Sequence, residues 1–491
     1  MRIAIVHYHL QLGGVTRVIL HAHDALRARG MHLVVLCGEP PAHGLTPELP
    51  VAVLPGLAYE ERRARQSPDQ LAGAMARAAR DALGGDPDLW HVHNHCLGKN
   101  TALPGALLRL ARDGHKLLLQ PHDFAEDGRP MLYARLRAQL ADGDIGRLSA
   151  LLYPLAPQVH YATLNRRDRE FLAAAGVPAA QAHALPNAVA IGDLHAGGSS
   201  GSTHAPEPGS GGERLWLYPT RAIRRKNLGE LLLWAALAGP EDRFAATQAP
   251  QNPQERPIYE HWVALARELS LPVRFAVGAG DVDFRTLIAR SYALVTTSVA
   301  EGFGLAFLEP WLMQRPLVGR DLPEITADFI NAGVRLPELY TRLDVPLAWL
   351  DRERLRSAFA AAAQRQAAAY GRPLLDSAER AWHSAVRDGH IDFGRLDEPA
   401  QEQVIRRLSV DRDAHTELRP PALASAAAAA SIAANRAIIA REYSVAGFGA
   451  RLAAIYAEVS AAVPSATFDA ARGEVLLNHF LAPERLCLLR S

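Results

Sequence analysis

The stretch Glu301–Glu309, EGFGLAFLE, sets two carboxylates on either side of a Gly-Phe-Gly turn. It follows the apolar run ALVTTS, so the segment reads as strand, loop and helix. Gly302 and Gly304 allow close approach of the backbone, and the amides of Phe303, Gly304 and Leu305 open toward a bound anion. Glu301 falls before the helix and Glu309 more than a turn inside it. Pro310, next in line, removes a backbone donor from that helix. A carboxylate so placed can accept hydrogen bonds from vicinal hydroxyls, such as those of a ribose. The other reading of these letters is a loop entering a helix with both acids in water.

Upstream, YPTRAIRRKNLGE places Arg221, Arg224, Arg225 and Lys226 within six residues, after a strand and before a helix. Such a run is either a solvated basic face or a clamp for a polyphosphate. It is not a P-loop, because no G-x-x-x-x-G-K-[ST] is present. LQLGGVTRV puts Gly13 and Gly14 between a strand and a helix, where amides and helix dipole suit an anion or where the chain merely turns. In QPHDF, His122 and Asp123 end a strand before the exposed, charged AEDGRP; His122 either reaches a polar substrate or is a cleft-edge histidine held by its neighbour. In HVHNHC, His91, His93 and His95 would share one strand face. With no acid or cysteine partner in the local sequence a zinc set is poorly specified, and no metal is assigned. Two acids and a basic cluster together describe a site for a ligand both polyanionic and hydroxyl-rich, and a sugar nucleotide fits that description.

Stepping outward to what must hold these residues, strand and helix patterns alternate over residues 1–190, from RIAIVHY and VTRVILHAHDALRARG to LWHVHNH and KLLLQPHDF. Alternation of this kind means a doubly wound parallel sheet. Residues 191–213, rich in Gly, Ser and Pro, read as a flexible linker. Alternation restarts at RLWLYPT, so 214–440 is a second unit of the same kind with a helical insertion at about 330–440. Residues 441–491 are expected to be helices packing back on the N-terminal domain. Ligands of such sheets bind at the carboxyl ends of strands.

The 491 residues suffice for two or three cores. Lys plus Arg (53) against Asp plus Glu (52) gives no basic excess, which argues against nucleic acid as a partner. The three cysteines lack C-x-x-C spacing and read as reduced thiols of a cytoplasmic protein. No window has the apolar length of a membrane span, which leaves peripheral membrane contact open.

The ordered series of these motifs resembles the retaining GT-B glycosyltransferases of family 4, a family that includes sucrose and sucrose-phosphate synthases and bacterial mannosyl- and glucosyltransferases. GGVTRVILHAHDALRARGMHLVVL, PHDF, LNRRDREFLAAAGVP, PTRAIRRKN and EGFGLAFLEPWLMQRPLVGRDLPEI follow the family's order over most of residues 1–325, and REYSVAGFGARLAAIYAEV resembles its late helix. The resemblance implies two Rossmann-like domains facing across a cleft, plus an extended helical C-terminal region. It implies that Arg221 and Lys226 hold the donor diphosphate with backbone amides of Phe303, Gly304 and Leu305. Glu309 would bind the ribose, Glu301 would lie against the donor sugar, His122 would sit near the reacting carbon, and Gly14 would face phosphate or acceptor. The activity implied is retaining transfer of a hexose from a UDP- or GDP-hexose to a hydroxyl acceptor (a saccharide, a sugar phosphate, a small organic compound or a lipid-linked glycan), with no further cofactor. The rival readings are a phosphorylase or isomerase on the same architecture, and a sugar-nucleotide-binding protein without catalysis. The sequence departs from the family at Pro310, at AATQAPQNPQERP, which replaces a glycine-rich turn, and in the long 330–440 region.

Overall fold

The computed structural model describes all residues except 12, 43–47, 65, 191–211, 280–282, 375, 412, 419–422, 424–428 and 491. Of the expected linker, 191–211 lies outside the described residues. The chain divides into two compact units: Met1–Ala188 with Ala367–Pro373 and Tyr443–Leu481, and Val189–Gln366 with Leu374–Glu442 and Ala482–Ser491.

The first unit begins with β1 (Arg2–Val6), α1 (Gly14–Arg27), β2 (His32–Cys37), β3 (Val51–Val53), α2 (Pro68–Leu83), β4 (Leu89–His93), α3 (Leu103–Arg112) and β5 (Leu117–Gln120). It continues through α4 (Pro130–Ala141), α5 (Ile145–Leu152), β6 (Pro154–Leu155), β7 (Val159–Thr163), α6 (Arg166–Ala174) and β8 (Ala182–Ala184). Seven strands form a parallel sheet in the order β3-β2-β1-β4-β5-β7-β8. Strands such as HLVVLC are apolar almost throughout because both faces are covered. One face packs Val18, Ile19 and Leu26 of α1 against Leu452 and Tyr456 of the helix Val445–Ala461. The other packs Leu71 and Met75 of α2 with Leu107 of α3. Helix α2 starts at Pro68 because Ser67 and Gln70 form a capping box, and it stops at Gly84 in the left-handed conformation.

The second unit repeats the scheme with β9 (Arg214–Arg221), α7 (Leu228–Ala236), β10 (Asp242–Gln248), α8 (Arg256–Glu268), β11 (Val273–Arg274), α9 (Phe284–Arg290) and β12 (Ala293–Thr296). Then come α10 (Glu309–Leu312), β13 (Leu317–Arg320), α11 (Pro323–Asn331) and β14 (Leu339–Tyr340). Its sheet is also parallel, ordered β11-β10-β9-β12-β13-β14, with Trp216, Leu231, Trp234 and Phe244 in the core beside it. In each sheet the order of strands reverses beside the first strand, between β1 and β4 and between β9 and β12. These are the topological switch points, where the carboxyl ends leave a crevice.

Three expectations are corrected. The 330–440 region is not purely helical: Asp344–Pro346, Val386–Arg387 and His390–Asp392 make a three-stranded antiparallel sheet. Asp392 on that sheet binds a buried arginine of β13, which gives the strands a fixed seat. The final residues, 482–491, belong to the second unit rather than joining the preceding helices, because Arg395 holds the Leu486 carbonyl at 2.9 Å and Cys487 donates to Gly394 O at 3.2 Å. Helix 309 does not begin upstream of Glu309: a 3-10 turn, Leu305–Phe307, precedes it and Glu309 is its first residue. Pro310 therefore falls in the first turn, where its missing N–H would have had no helical partner.

Candidate functional site

In the second unit, the switch point brings together the ends of β9 and β12. Arg221 is the last residue of β9 and is exposed; its guanidinium has no hydrogen-bond or ion-pair partner among the described residues. The chain then makes a 3-10 turn, Arg224–Lys226, and enters α7 at Asn227, whose φ of 51° is left-handed. This turn is stitched to the loop after β12. Tyr218 donates to Lys226 O at 3.0 Å, Thr297 Oγ1 donates to the same carbonyl at 2.9 Å, and Val299 N donates to Arg225 O at 2.9 Å.

Glu301 stands where these two loops meet. Arg225 donates to its Oε2 at 2.9 Å, and Lys226 pairs with its Oε1. The Glu301 side chain is 9% exposed. Burial alone would raise its pKa, but the charges of Lys226 and Arg225, with hydrogen bonds from Lys226 and Ser298, bring it down to about 2. Glu301 is therefore an anion at any physiological pH. Burial pulls Lys226 below the ordinary lysine value, with Glu301 and Glu309 opposing it and Arg225 adding to it. A second anion at this point would have two cations to bind.

The Gly-Phe-Gly turn closes the same edge. Gly304 has φ 90°, and a Cβ there would lie 2.8 Å from Ile325 Cγ2 and 2.9 Å from the Phe307 ring, so only glycine fits. Phe303 is buried against Phe329, with ring centroids 5.5 Å apart. The amides of Gly304 and Leu305 donate to no group among the described residues. Glu309, in the first turn of α10, is near enough to act on the Lys226 charge.

A buried network holds the basic turn in place. Asn227 Nδ2 donates to Glu230 at 2.7 Å; Arg320 of β13 donates to Glu230 at 2.7 Å and to Asp392 at 2.9 and 3.0 Å. Gln401 Nε2 donates to Asn227 Oδ1 at 2.9 Å. Arg224, expected as part of the clamp, is a strut instead. It pairs with Glu398 at 2.6 and 3.0 Å, and its backbone N–H donates to Glu255 at 2.9 Å. The cause is geometric: one turn of 3-10 helix cannot point its three successive cations the same way.

In the first unit, the switch point is lined by histidines. His7 and His9 follow β1, His93 ends β4, and His122 follows β5. His91 and His93 share a face, but His95 does not join them, because Asn94 at φ 58° turns the chain and His95 bonds Leu152 O at 2.8 Å. Asn94 Oδ1 accepts from the His122 amide at 2.8 Å and fixes the loop after β5. His122 Nε2 lies 2.8 Å from His93 Nδ1, while His93 Nε2 is buried with no partner. A bare ring nitrogen is cheaper to bury than an orphaned N–H, so His93 Nδ1–H donates to His122 Nε2. The remaining proton of His122 then sits on Nδ1, which has no partner among the described residues. Burial lowers His122 to about 3, and the charges of His7 and His91 add to this, so it is neutral near pH 7.

Gly14 opens α1 and is exposed, with nothing within 4 Å of the position a Cβ would take. The segment AEDGRP, expected to be exposed, is buried at Ala125 and Glu126. Tyr153 donates to Glu126 at 3.0 Å, and burial pushes that carboxyl up to about 7. Among the described residues no group of three or more His, Cys, Asp or Glu side chains is arranged to hold a metal ion. Likewise, among the described residues no helix is long and apolar enough to cross a membrane.

Sequence reasoning missed the partners rather than the motifs: Arg225 and Ser298 on Glu301, Asn94 and His93 behind His122, and Asn227 and Arg320 behind Lys226. The RRK triplet and the H-x-H of HVHNHC were the available signals; nothing local points to Arg320.

Residues 13–188 match the family described as glycosyl transferase 4-like domain. Mannosylglucosyl-3-phosphoglycerate synthase of Petrotoga mobilis is 30% identical over 257 residues, half of this chain and 48% of that protein. The chain thus matches about half the length of this curated relative. Among solved structures, Anabaena HepE in complex with UDP and glucose aligns with a TM-score of 0.52 at 13% identity, covering 93% of this chain and 99% of that one. A glycosyltransferase of Rickettsia africae aligns at 0.51 and 12% identity, over 93% and 98%. Fold and domain define the class as far as the matches reach: the fold is of the GT-B kind, and residues 13–188, a match to the glycosyl transferase 4-like domain, form the body of the first unit.

Proposed function

We propose that the protein transfers a hexose from a nucleotide-diphosphate sugar, a UDP- or GDP-hexose, to a hydroxyl acceptor with retention of anomeric configuration. The observation that carries this reading is the edge of the second sheet. There the unpartnered Arg221, the Arg225–Lys226–Glu301 ion cluster and the free amides of Gly304 and Leu305 converge at one switch point. That combination suits a diphosphate, and Glu309 suits the ribose hydroxyls. The names of the Petrotoga relative, a mannosylglucosyl-3-phosphoglycerate synthase, and of the HepE complex with UDP and glucose are consistent with it.

The pKa directions constrain the chemistry. Glu301 is ionised and His122 neutral, so neither serves as a proton donor of the glycosidase kind. The departing diphosphate then takes the acceptor's proton. Arg221 and Lys226 stabilise the charge that grows on that diphosphate as the bond breaks. Glu301 orients the sugar hydroxyls and tempers Lys226. His122, donating from Nδ1, hydrogen-bonds the sugar near its reacting carbon.

Arg221→Ala and Lys226→Ala should each lower turnover by about 10²–10³ while circular dichroism stays unchanged. A panel of nucleotide sugars, screened by thermal shift, identifies the donor; NMR of the product then reads its anomeric configuration. Full activity in either variant would sink the clamp. Tight nucleotide-sugar binding without transfer to any acceptor would leave a binding protein.

A further inference from the structure

Of the chain's 53 basic residues only three are lysines: Lys99, Lys116 and Lys226. Two are accounted for. Lys116 donates to the Ser460 carbonyl, and Lys226 pairs with Glu301. Lys99 lies in the loop after β4, at the carboxyl edge of the first sheet; its carbonyl accepts from the Glu60 amide at 2.6 Å, but its ammonium has no ion-pair or hydrogen-bond partner among the described residues. It is not a free surface side chain either. It is half-buried, and its ammonium stands over the Tyr59 ring at 5.1 Å.

Its surroundings sharpen the contrast. Nearby cations have partners: Arg63 with Glu60 at 2.8 Å, Arg129 with Asp123 at 2.8 Å, Arg135 with Glu61 at 3.1 Å. Burial lowers the Lys99 pKa, Glu61 opposes this, and Arg129 and Arg135 add to it. Lysine is the more strongly hydrated cation, so partial burial beside two guanidiniums is unfavourable unless an anion compensates. A row of rings leads from His122 to this point. Centroids run 5.0 Å from His122 to His93, 6.2 Å to His7, 5.4 Å to His9 and 5.2 Å to Tyr59. Tyr59 OH and His9 Nε2, 3.0 Å apart, offer hydrogen bonds to hydroxyls along the way.

We propose that Lys99 is the anion-recognising residue of the acceptor subsite, and that the acceptor is a hydroxyl compound bearing a phosphate or carboxylate. The hydroxyl lies toward the His122 end of the row and the anionic group on Lys99, beside Tyr59. This deepens the transferase reading and rests on it for the word acceptor; the anion site itself stands on the first unit alone.

With three lysines, amine acetylation mapped by mass spectrometry reports each one separately. The full-length protein is labelled with UDP saturating, so that anions cannot be reading the Arg221 edge. Glycerol 3-phosphate, glycerate, glycerol and inorganic phosphate are compared as probes. Protection of Lys99 by glycerol 3-phosphate identifies a phosphorylated acceptor, protection by glycerate a carboxylate acceptor, and glycerol should give none. Lys99→Gln should weaken binding of the protecting probe by about ten- to hundredfold, the range for one charge-assisted contact, while Lys99→Arg retains part of it and UDP affinity is unchanged in both. Equal labelling with and without the organic anions, protection by inorganic phosphate alone, or wild-type affinity in Lys99→Gln would each overturn the proposal. Loss of UDP binding by the wild type with Lys99 protection intact would instead strike only the donor reading.

Discussion

Glu301→Gln keeps the shape of the side chain and removes the anion that Arg225 and Lys226 share. The folded protein holds this carboxyl at about 2 instead of 4.5. At about 1.4 kcal/mol per pH unit, that interval corresponds to about 3 kcal/mol of stability at neutral pH. With the side chain only 9% exposed, solvent takes little of it back. The sign follows from linkage: a depressed carboxyl contributes fully above its unfolded value and loses the contribution as pH falls toward the folded one. The gap between wild type and variant should thus be about 3 kcal/mol at pH 7 and about 1 kcal/mol at pH 3. Six of the seven tryptophans, Trp216, Trp234, Trp262, Trp311, Trp349 and Trp382, lie in the second unit, so urea unfolding followed by tryptophan fluorescence reads the unit that contains Glu301. UDP supplies replacement negative charge, so the variant should bind it at least as tightly as wild type while turning over more slowly. A gap below 1 kcal/mol at pH 7, or one that does not change by pH 3, refutes the reasoning.

Arg320→Leu leaves Glu230 and Asp392 buried without their cation and should cost about 3–5 kcal/mol in the same urea experiment; a loss below 1 kcal/mol would show the network is not what seats the basic turn. Gly304→Ala must hold alanine at φ 90° against Ile325 and Phe307, a cost of about 2–3 kcal/mol accompanied by weaker UDP binding; unchanged calorimetry would contradict it. His93→Asn keeps a donor toward His122 and should keep most of kcat, whereas His93→Leu should lower kcat more than it raises KM, with ¹⁵N imidazole shifts reporting loss of the Nδ1–H form of His122. Glu126, raised to about 7, loses stability for the fold as pH rises from 4.5 through 7, so Glu126→Gln should stabilise first-unit amides against hydrogen exchange by about 3 kcal/mol at pH 8 and by less than about 1 kcal/mol at pH 5; equal protection at both would refute the assignment.

The alternation of apolar strands with helices sufficed to read both sheets, because a strand buried on two faces has little freedom of composition. It also placed His122, Glu301, Lys226 and Gly304 at strand ends, since position relative to a strand is a local property. What stayed illegible was pairing at a distance. Glu301 and Lys226 are 75 residues apart, Arg320 and Glu230 are 90 apart, and their attraction leaves no periodic mark. Pro310 was misread for a related reason: a helix start is set by backbone hydrogen bonds, and the preceding 3-10 turn is fixed by Gly304, whose positive φ no spacing rule supplies. AEDGRP looked solvent-facing because acids usually are, whereas Tyr153 hides Glu126.

Glu126 and Glu301 are the same residue type, and burial pushes both in the same direction. They end at about 7 and about 2 because one faces a phenol and the other faces two cations. Charge density at the second switch point, more than burial, is therefore what sets it apart and what supports the proposed polyanion site there. The first switch point has the opposite character: its histidines are kept neutral by burial, the nearby arginines are paired with acids, and Lys99 adds an ammonium with no ion pair among the described residues. The transfer proposed above needs these two environments to differ. The leaving group must find cations already in place, while the acceptor hydroxyl must meet hydrogen-bond partners that do not carry charge and do not compete for its proton. Glu301 pairs with two of the second-unit cations and leaves Arg221 unneutralised, so the cluster keeps a positive excess that the proposed diphosphate would meet. That is why removing Glu301 should separate binding from turnover, and removing Arg221 should not.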